Sequence, residues 1–233
     1  MIRHTAARGL TRLRWGISGA CIVFSAAAIL TAQAKRVDDD SFDALYRRGS
    51  EINATFKTLT ARFTETTTSS ILTRPLVASG TVAVERPSKV VLHYQQPELR
   101  DVLIDGGRLI VSWPARHIHD VTNIAAANRR IQKYFVDGTP AQLRESFDIV
   151  SEKADDRPRT YRLTMVPRRK QIREGLTRLE LWLDQTTLLL AAMRMTFPNG
   201  DTKLMVLEDV VPNTRIDPGV FTIGPSPAPA PAP

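Results

Sequence analysis

Side chains able to do chemistry are few past residue 34. The histidines there are His93, His117 and His119. His117 and His119 form an H-x-H pair, which a strand would set on one face either as metal ligands or as a structural pair. No third ligand stands at a telling spacing. The sequence holds no HExxH, no G-x-S-x-G, no phosphate loop and no dinucleotide fingerprint. Its acids are scattered over polar faces and turns. Aromatic residues make up 6% of the chain, too sparse for a base-stacking platform. The pattern gives no ground for an enzyme, a cofactor, a metal site or a nucleic-acid partner.

The chemical anomaly is Arg86. It lies in Leu76 to Pro97, which reads as two β-strands joined by a tight turn at Pro87. Val82, Val84 and Arg86 share one face of the first strand, and Val90, Leu92 and Tyr94 share one face of the second. A guanidinium stays charged and carries five fixed donors, so beside an apolar surface it needs acceptors brought to it. Arg86 is therefore either a snorkelling edge residue or a functional one.

A chain of 233 residues, 42% hydrophobic and 24% charged, suits one domain with a real core preceded by a leader. Arg3, Arg8, Arg12 and Arg14 form a basic start without acids, Ile17 to Leu30 is apolar, and Ala32-Gln33-Ala34 is a cleavage motif. Residues 1–34 read as a signal peptide cut after Ala34; the alternative, an uncleaved anchor, meets an apolar run short for a span. The only cysteine, Cys21, lies inside this leader in a poor lipobox, with Ser18 three positions before it. Cleavage leaves a protein with neither disulfide nor thiol chemistry. The formal charge of +8 also falls, to 28 basic against 24 acidic side chains, a mild excess.

The elements that position these residues follow from periodicity. Ser41 is an N-cap for a helix from about Phe42 to Lys57, weakened at Gly49. From Ala61 the period becomes two, and Asp105-Gly106-Gly107-Arg108 is a hairpin turn. Ile124 to Phe135 reads as an amphipathic helix stopped at Asp137-Gly138. A second short helix is capped by Thr139 with Pro140 at its first position. The two helices serve as a cover over one sheet face or as ordinary packing. Phe147 to Ser151 and Tyr161 to Val166 are strands, and Arg168-Arg169-Lys170 is a basic loop, solvated or membrane-facing. Asn199-Gly200 signals a two-residue turn. Pairing Phe197 with Thr202 places Met193, Met195, Phe197, Leu204 and Val206 on one face, as core or as contacts for a flexible ligand. The register of Leu183 against Leu188 or Leu189 stays open. Residues 224–233 form an extended Pro-Ala tail. The whole is an α+β domain over residues 35–223, with a strongly curved antiparallel sheet and helices on its concave side.

Several short motifs, in this order and spacing, resemble the LolA family of periplasmic lipoprotein carriers. They are Phe63-Thr64-Glu65, Gly80-Thr81, Arg86-Pro87, Tyr94 with Pro97, Ile104-Asp105-Gly106 with Leu109, and Thr139-Pro140. The resemblance implies an incomplete β-barrel whose helices form a lid over an apolar cavity. It implies that Val82, Val84, Val90, Leu92 and Tyr94 line the cavity, together with Met193, Met195, Phe197 and Leu204, and that Arg86 ties the lid and releases it when cargo enters. The implied partners are acylated lipoproteins, an inner-membrane transporter and an outer-membrane receptor, met in the periplasm by a monomeric carrier. Each buried acyl methylene is worth about 0.8 kcal/mol, so such cargo needs shielding from water. Two departures bear on cargo and lid: Val90 and Leu92 stand where larger aromatics are common, and Arg144 and Glu145 interrupt an otherwise apolar lid. The alternatives are a carrier of free lipid or glycolipid, and an RseB-like sensor of lipoproteins. The sensor is disfavoured because only the tail follows Phe221.

Overall fold

A computed structural model describes residues 41–131 and 139–224. The leader, the part of the expected mid-chain helix beyond Ile131 with Tyr134, Phe135 and the stop at Asp137-Gly138, and the tail from residue 225 lie outside the described residues. Helix α1 (Phe42–Asn53) precedes six strands, β1 (Thr58–Thr68), β2 (Leu76–Glu85), β3 (Lys89–Gln96), β4 (Arg100–Asp105), β5 (Arg108–Trp113) and β6 (Ile118–Asn123). Helices α2 (Ala125–Ile131) and α3 (Pro140–Ser146) follow. Then come β7 (Phe147–Lys153), β8 (Thr160–Pro167), the short α4 (Lys170–Arg173), β9 (Arg178–Asp184), β10 (Leu190–Thr196) and β11 (Thr202–Pro212).

All the strands join one antiparallel sheet in the order β6-β5-β4-β3-β2-β1-β11-β10-β9-β8-β7. The chain walks outward from β1 to one free edge, β6, and crosses through α2 and α3 to the other free edge, β7. It then walks back until β11 pairs with β1. The sheet is thus an unclosed, curved barrel, and the chain passes from one free edge to the other by way of α2 and α3. The crossover lies on the inner face, because Leu143 of α3 is fully buried in the main core and Ile124, just before α2, packs against it.

Local chemistry explains the element ends. Ser41 caps α1 by accepting the Ala44 N–H at 3.4 Å. The helix runs through buried Gly49 without interruption and stops at Asn53, short of Lys57. There the Thr55 hydroxyl and N–H both turn back to the Ile52 carbonyl, and Phe56 drops into the core. Thr139 and Gln142 form a reciprocal capping box at the start of α3, with Pro140 at the first helical position. Arg168 and Arg169 precede α4, so the expected basic loop is in part a helical turn. Gly80 sits where β2 slips its register on β3: a Cβ there would meet the His93 carbonyl oxygen at 1.9 Å, so no other residue fits without moving backbone.

The last hairpin corrects the sequence reading. Thr196, not Phe197, pairs with Thr202, and Phe197 bonds through its N–H to the Asp201 carbonyl. Pro198 takes the second position of a turn closed by Gly200 N–H to the Phe197 carbonyl, and Gly200 follows at φ 85°. That is a three-residue loop rather than the two-residue one, favoured because proline suits that turn position. One residue of slip turns every side chain over. Met205 consequently faces inward, while Leu204 and Val206 pack outward with Ala154, Trp182 and Ala192. Leu183 pairs with Leu190, beyond both partners considered from sequence. A third apolar cluster forms on the outer face of β2 to β5, where the segment through Ile216, Val220 and Phe221 lies over Ala83, Val91 and Leu103.

Candidate functional site in the concave face

The inner face and the helices above it make one continuous apolar core. Val82, Val90, Leu92 and Tyr94 lie in it with Met193 and Met195 from the other half of the sheet, and Val84 and Phe197 pack against it half-buried. Leu204 does not join them, for the register reason above. The cover is Phe42, Leu45 and Tyr46 of α1 and Leu143 of α3, all buried in the same cluster. Phe42 and Tyr46 meet edge to face at 5.8 Å. Strand alternation put the inner side chains on one face; only the tertiary fold puts the cover over them.

Arg86 follows β2 at one end of the barrel. Its N–H donates to the Lys57 carbonyl at 2.9 Å, and its guanidinium lies over the Phe56 ring at 5.1 Å. Phe56 belongs to the joint between α1 and β1, so Arg86 bears on the root of the lid helix. Helix α2 is fastened at the same end: the Ile124 N–H donates to the Gly107 carbonyl at 2.7 Å and the Asn128 amide to the Gly106 carbonyl at 2.6 Å. Sequence reasoning missed a further lid contact. Arg144 of α3 donates to Asp43 of α1 at 2.6 Å and also lies over Phe42 at 5.3 Å. Arg144 was visible as a charge in the lid; its partner, 101 residues away, was not.

The opposite end carries a cavity of about 620 Å³ where the β1–β2, β3–β4 and β10–β11 connections meet. Its floor is polar. The Tyr94 hydroxyl donates to the Glu65 carboxylate at 3.0 Å, and the Lys203 ammonium donates to the other carboxylate oxygen at 3.1 Å. Phe63 packs edge to face on Tyr94 at 4.9 Å. Burial, followed by the Glu65 charge, raises the Tyr94 hydroxyl above the ordinary tyrosine range, so it stays a donor. This group lies between the apolar core and the cavity. Glu65 stands in a motif of the sequence; Lys203 reaches the inner face beside it through the one-residue slip of the last hairpin.

Among the described residues no three His, Cys, Asp or Glu side chains are grouped so that they could hold a metal ion. His117 is not in a strand beside His119. It ends a 3₁₀ turn at φ 51°, and both histidines are exposed. His93 instead pairs with Asp101 at 2.7 Å on the outer face. Among the described residues no helix is long and apolar enough to cross a membrane.

An unclosed antiparallel barrel with an apolar concave face under a helical lid defines a carrier-type fold. The family of the outer membrane lipoprotein carrier protein LolA matches residues 54–224, and the chain belongs to that family. Among solved structures it is similar to a LolA superfamily protein of Nitrosomonas europaea, at 11% identity over 88% of this chain and 97% of that one, TM-score 0.39. It is similar also to a putative outer membrane lipoprotein-sorting protein domain of Vibrio parahaemolyticus, at 13% identity over 73% and 93%, TM-score 0.42. The MucA/MucB complex of Pseudomonas aeruginosa gives 15% identity over 71% of this chain, which spans 56% of the matched one, TM-score 0.42. No curated protein sequence gives a significant match.

Proposed function

We propose that the protein is a periplasmic carrier that takes the acyl anchor of lipoproteins into its concave face and passes it from an inner-membrane transporter to an outer-membrane receptor. The supporting observation is the apolar inner face spanning both halves of the sheet, covered by two helices that are themselves apolar on their inner side. In this reading residues 1–34 are an export leader removed after Ala34, and residues 35–223 are the carrier, acting as a monomer. Residues 224–233 are an appended tail. Val82, Val84, Val90, Leu92, Tyr94, Met193, Met195 and Phe197 form the acyl-facing wall, with Met205 in place of Leu204.

Loading requires the cover to move. Exposing a buried Leu or Phe costs about 1.5–3 kcal/mol, and each acyl methylene that replaces it returns about 0.8 kcal/mol. A long chain therefore offsets the loss of Leu45, Leu143 and Phe42 contacts, while an unacylated peptide does not. Arg86, stacked on the root of α1, sets the balance between open and closed. The test is binding of a fluorescent triacylated lipopeptide against the same peptide without acyl chains. Saturable binding of the acylated form alone is expected; equal binding of both, or of neither, would overturn the proposal.

A second reading, carriage of free lipid, gains support from the end cavity. Its volume lies within the range of single small-ligand sites.

A further inference from the structure

We infer that the end cavity is a head-group site for a single-tailed anionic amphiphile, with Arg100 as the residue that receives its oxyanion. The inference rests on the carrier reading and adds to it a ligand class and a site remote from Arg86. Arg100 opens β4 and Trp113 closes β5, so the hairpin brings both to the cavity end of the sheet. The Arg100 guanidinium lies 3.8 Å from the centre of the Tyr94 ring and 5.3 Å from that of Trp113, between the two aromatic groups. Beyond Trp113, Arg116 stacks at 3.6 Å.

The neighbouring cations are already satisfied. Lys203 is held by Glu65 and Arg116 by Glu98, at 3.1 and 2.9 Å. Arg100 pairs with no carboxylate among the described residues. Its Nε is buried without an acceptor, and so is the indole Nε1 of Trp113. Buried donors are almost always matched, and these two belong to residues that line one cavity, where a small shift of either side chain would let an acceptor from outside reach them. A guanidinium on an aromatic face favours a carboxylate or phosphate oxyanion over a neutral acceptor.

The tail has its own wall. Ile71, Leu72 and Leu76 line the cavity from the β1–β2 connection, and Phe197 lines it from the β10–β11 turn. Ile71 is 89% exposed and Leu76 54%, unusual for large apolar groups gathered at one mouth. An alkyl chain lying from Arg100 across these residues would remove that surface from water. The combination of unmatched donors at one side and unsheltered apolar side chains at the other selects an amphiphile rather than a free ion.

The experiment is calorimetric titration of the delipidated protein below micellar concentrations. The probes are oleate, oleoyl lysophosphatidic acid, monooleoylglycerol and inorganic phosphate. Both anionic amphiphiles are expected to bind at least about tenfold more tightly than the neutral one, and phosphate not to bind measurably. Arg100→Gln is expected to abolish that preference, so that anionic and neutral probes bind alike. Trp113→Phe, which keeps the ring and removes one donor, is expected to reduce the preference and serves if Arg100→Gln does not fold. Equal affinity for neutral and anionic probes, or a preference that survives these substitutions, overturns the inference. So does phosphate binding as tightly as the lysolipid, which would mark a free-anion site. Failure of all the amphiphiles while the triacylated lipopeptide still binds removes this inference and leaves the carrier reading; failure of both removes both.

Discussion

The two ends of the barrel are built differently. At the Arg86 end, the turns are closed by short backbone bonds, α2 is fastened to the β4–β5 turn, and the guanidinium stacked on Phe56 sits at the root of α1. At the other end, charged groups are buried under a cavity rimmed by exposed apolar side chains. One end thus resembles a hinge and the other a mouth. The lesson is that polar groups serve the two ends in opposite ways. Near Arg86 they are half-exposed and cheap to rearrange; around Glu65 they are buried and costly to disturb.

The largest expected effect tests that contrast at the mouth. Lys203→Met leaves the Glu65 carboxylate buried with Tyr94 as its remaining partner among the described residues, and loss of one member of a buried pair costs roughly 3–5 kcal/mol. Urea unfolding should show it. At the hinge, Arg86→Leu removes the contact with Phe56, which is itself worth about 1 kcal/mol. Its larger effect is expected in function: under the proposed carrier role, the variant should load acylated cargo but release it slowly in a transfer assay. A greater loss of stability for Arg86→Leu than for Lys203→Met would break the comparison.

Smaller still is the lid contact between α1 and α3. Asp43 and Arg144 are both well exposed, so Asp43→Asn is expected to change stability by less than about 1 kcal/mol. Faster opening of the lid should still appear as lost amide protection in α3. The smallest effect is a pH dependence away from both ends. The hydrogen bond to Asp101 raises the His93 imidazole above 6.5, against the opposing effect of burial. The proton is held more tightly in the folded state. The contribution is therefore complete below pH 6.5 and fades as pH rises through the folded value. The stability difference between the wild type and His93→Gln should shrink over that interval.

What the sequence revealed depended on the range of the interaction. Alternation placed Val82, Val84, Val90, Leu92 and Tyr94 on one face, because period two is a property of each strand alone. Ser41 and Thr139 announced their helices because a cap reaches only three residues. Pro198 shifted the last hairpin by a single residue, and that local choice reversed Leu204, Val206, Lys203 and Met205 together. The pairing of β1 with β11, the Asp43–Arg144 contact and the Glu65–Lys203 pair join residues more than a hundred positions apart. No local pattern encodes them. Arg100 and Trp113 were unremarkable in sequence, since only the meeting of several hairpin ends gives them a shared cavity.

The account's central claim is that α1 and α3 must part for acyl chains to enter. The direct measurement joins Asp43→Cys and Arg144→Cys through a short, reducible bis-maleimide and follows triacylated lipopeptide binding before and after reduction. The linked protein is expected to bind none, and reduction to restore binding to the level of the unlinked double variant. Full binding by the linked protein would contradict the claim and place the acyl site outside the lid.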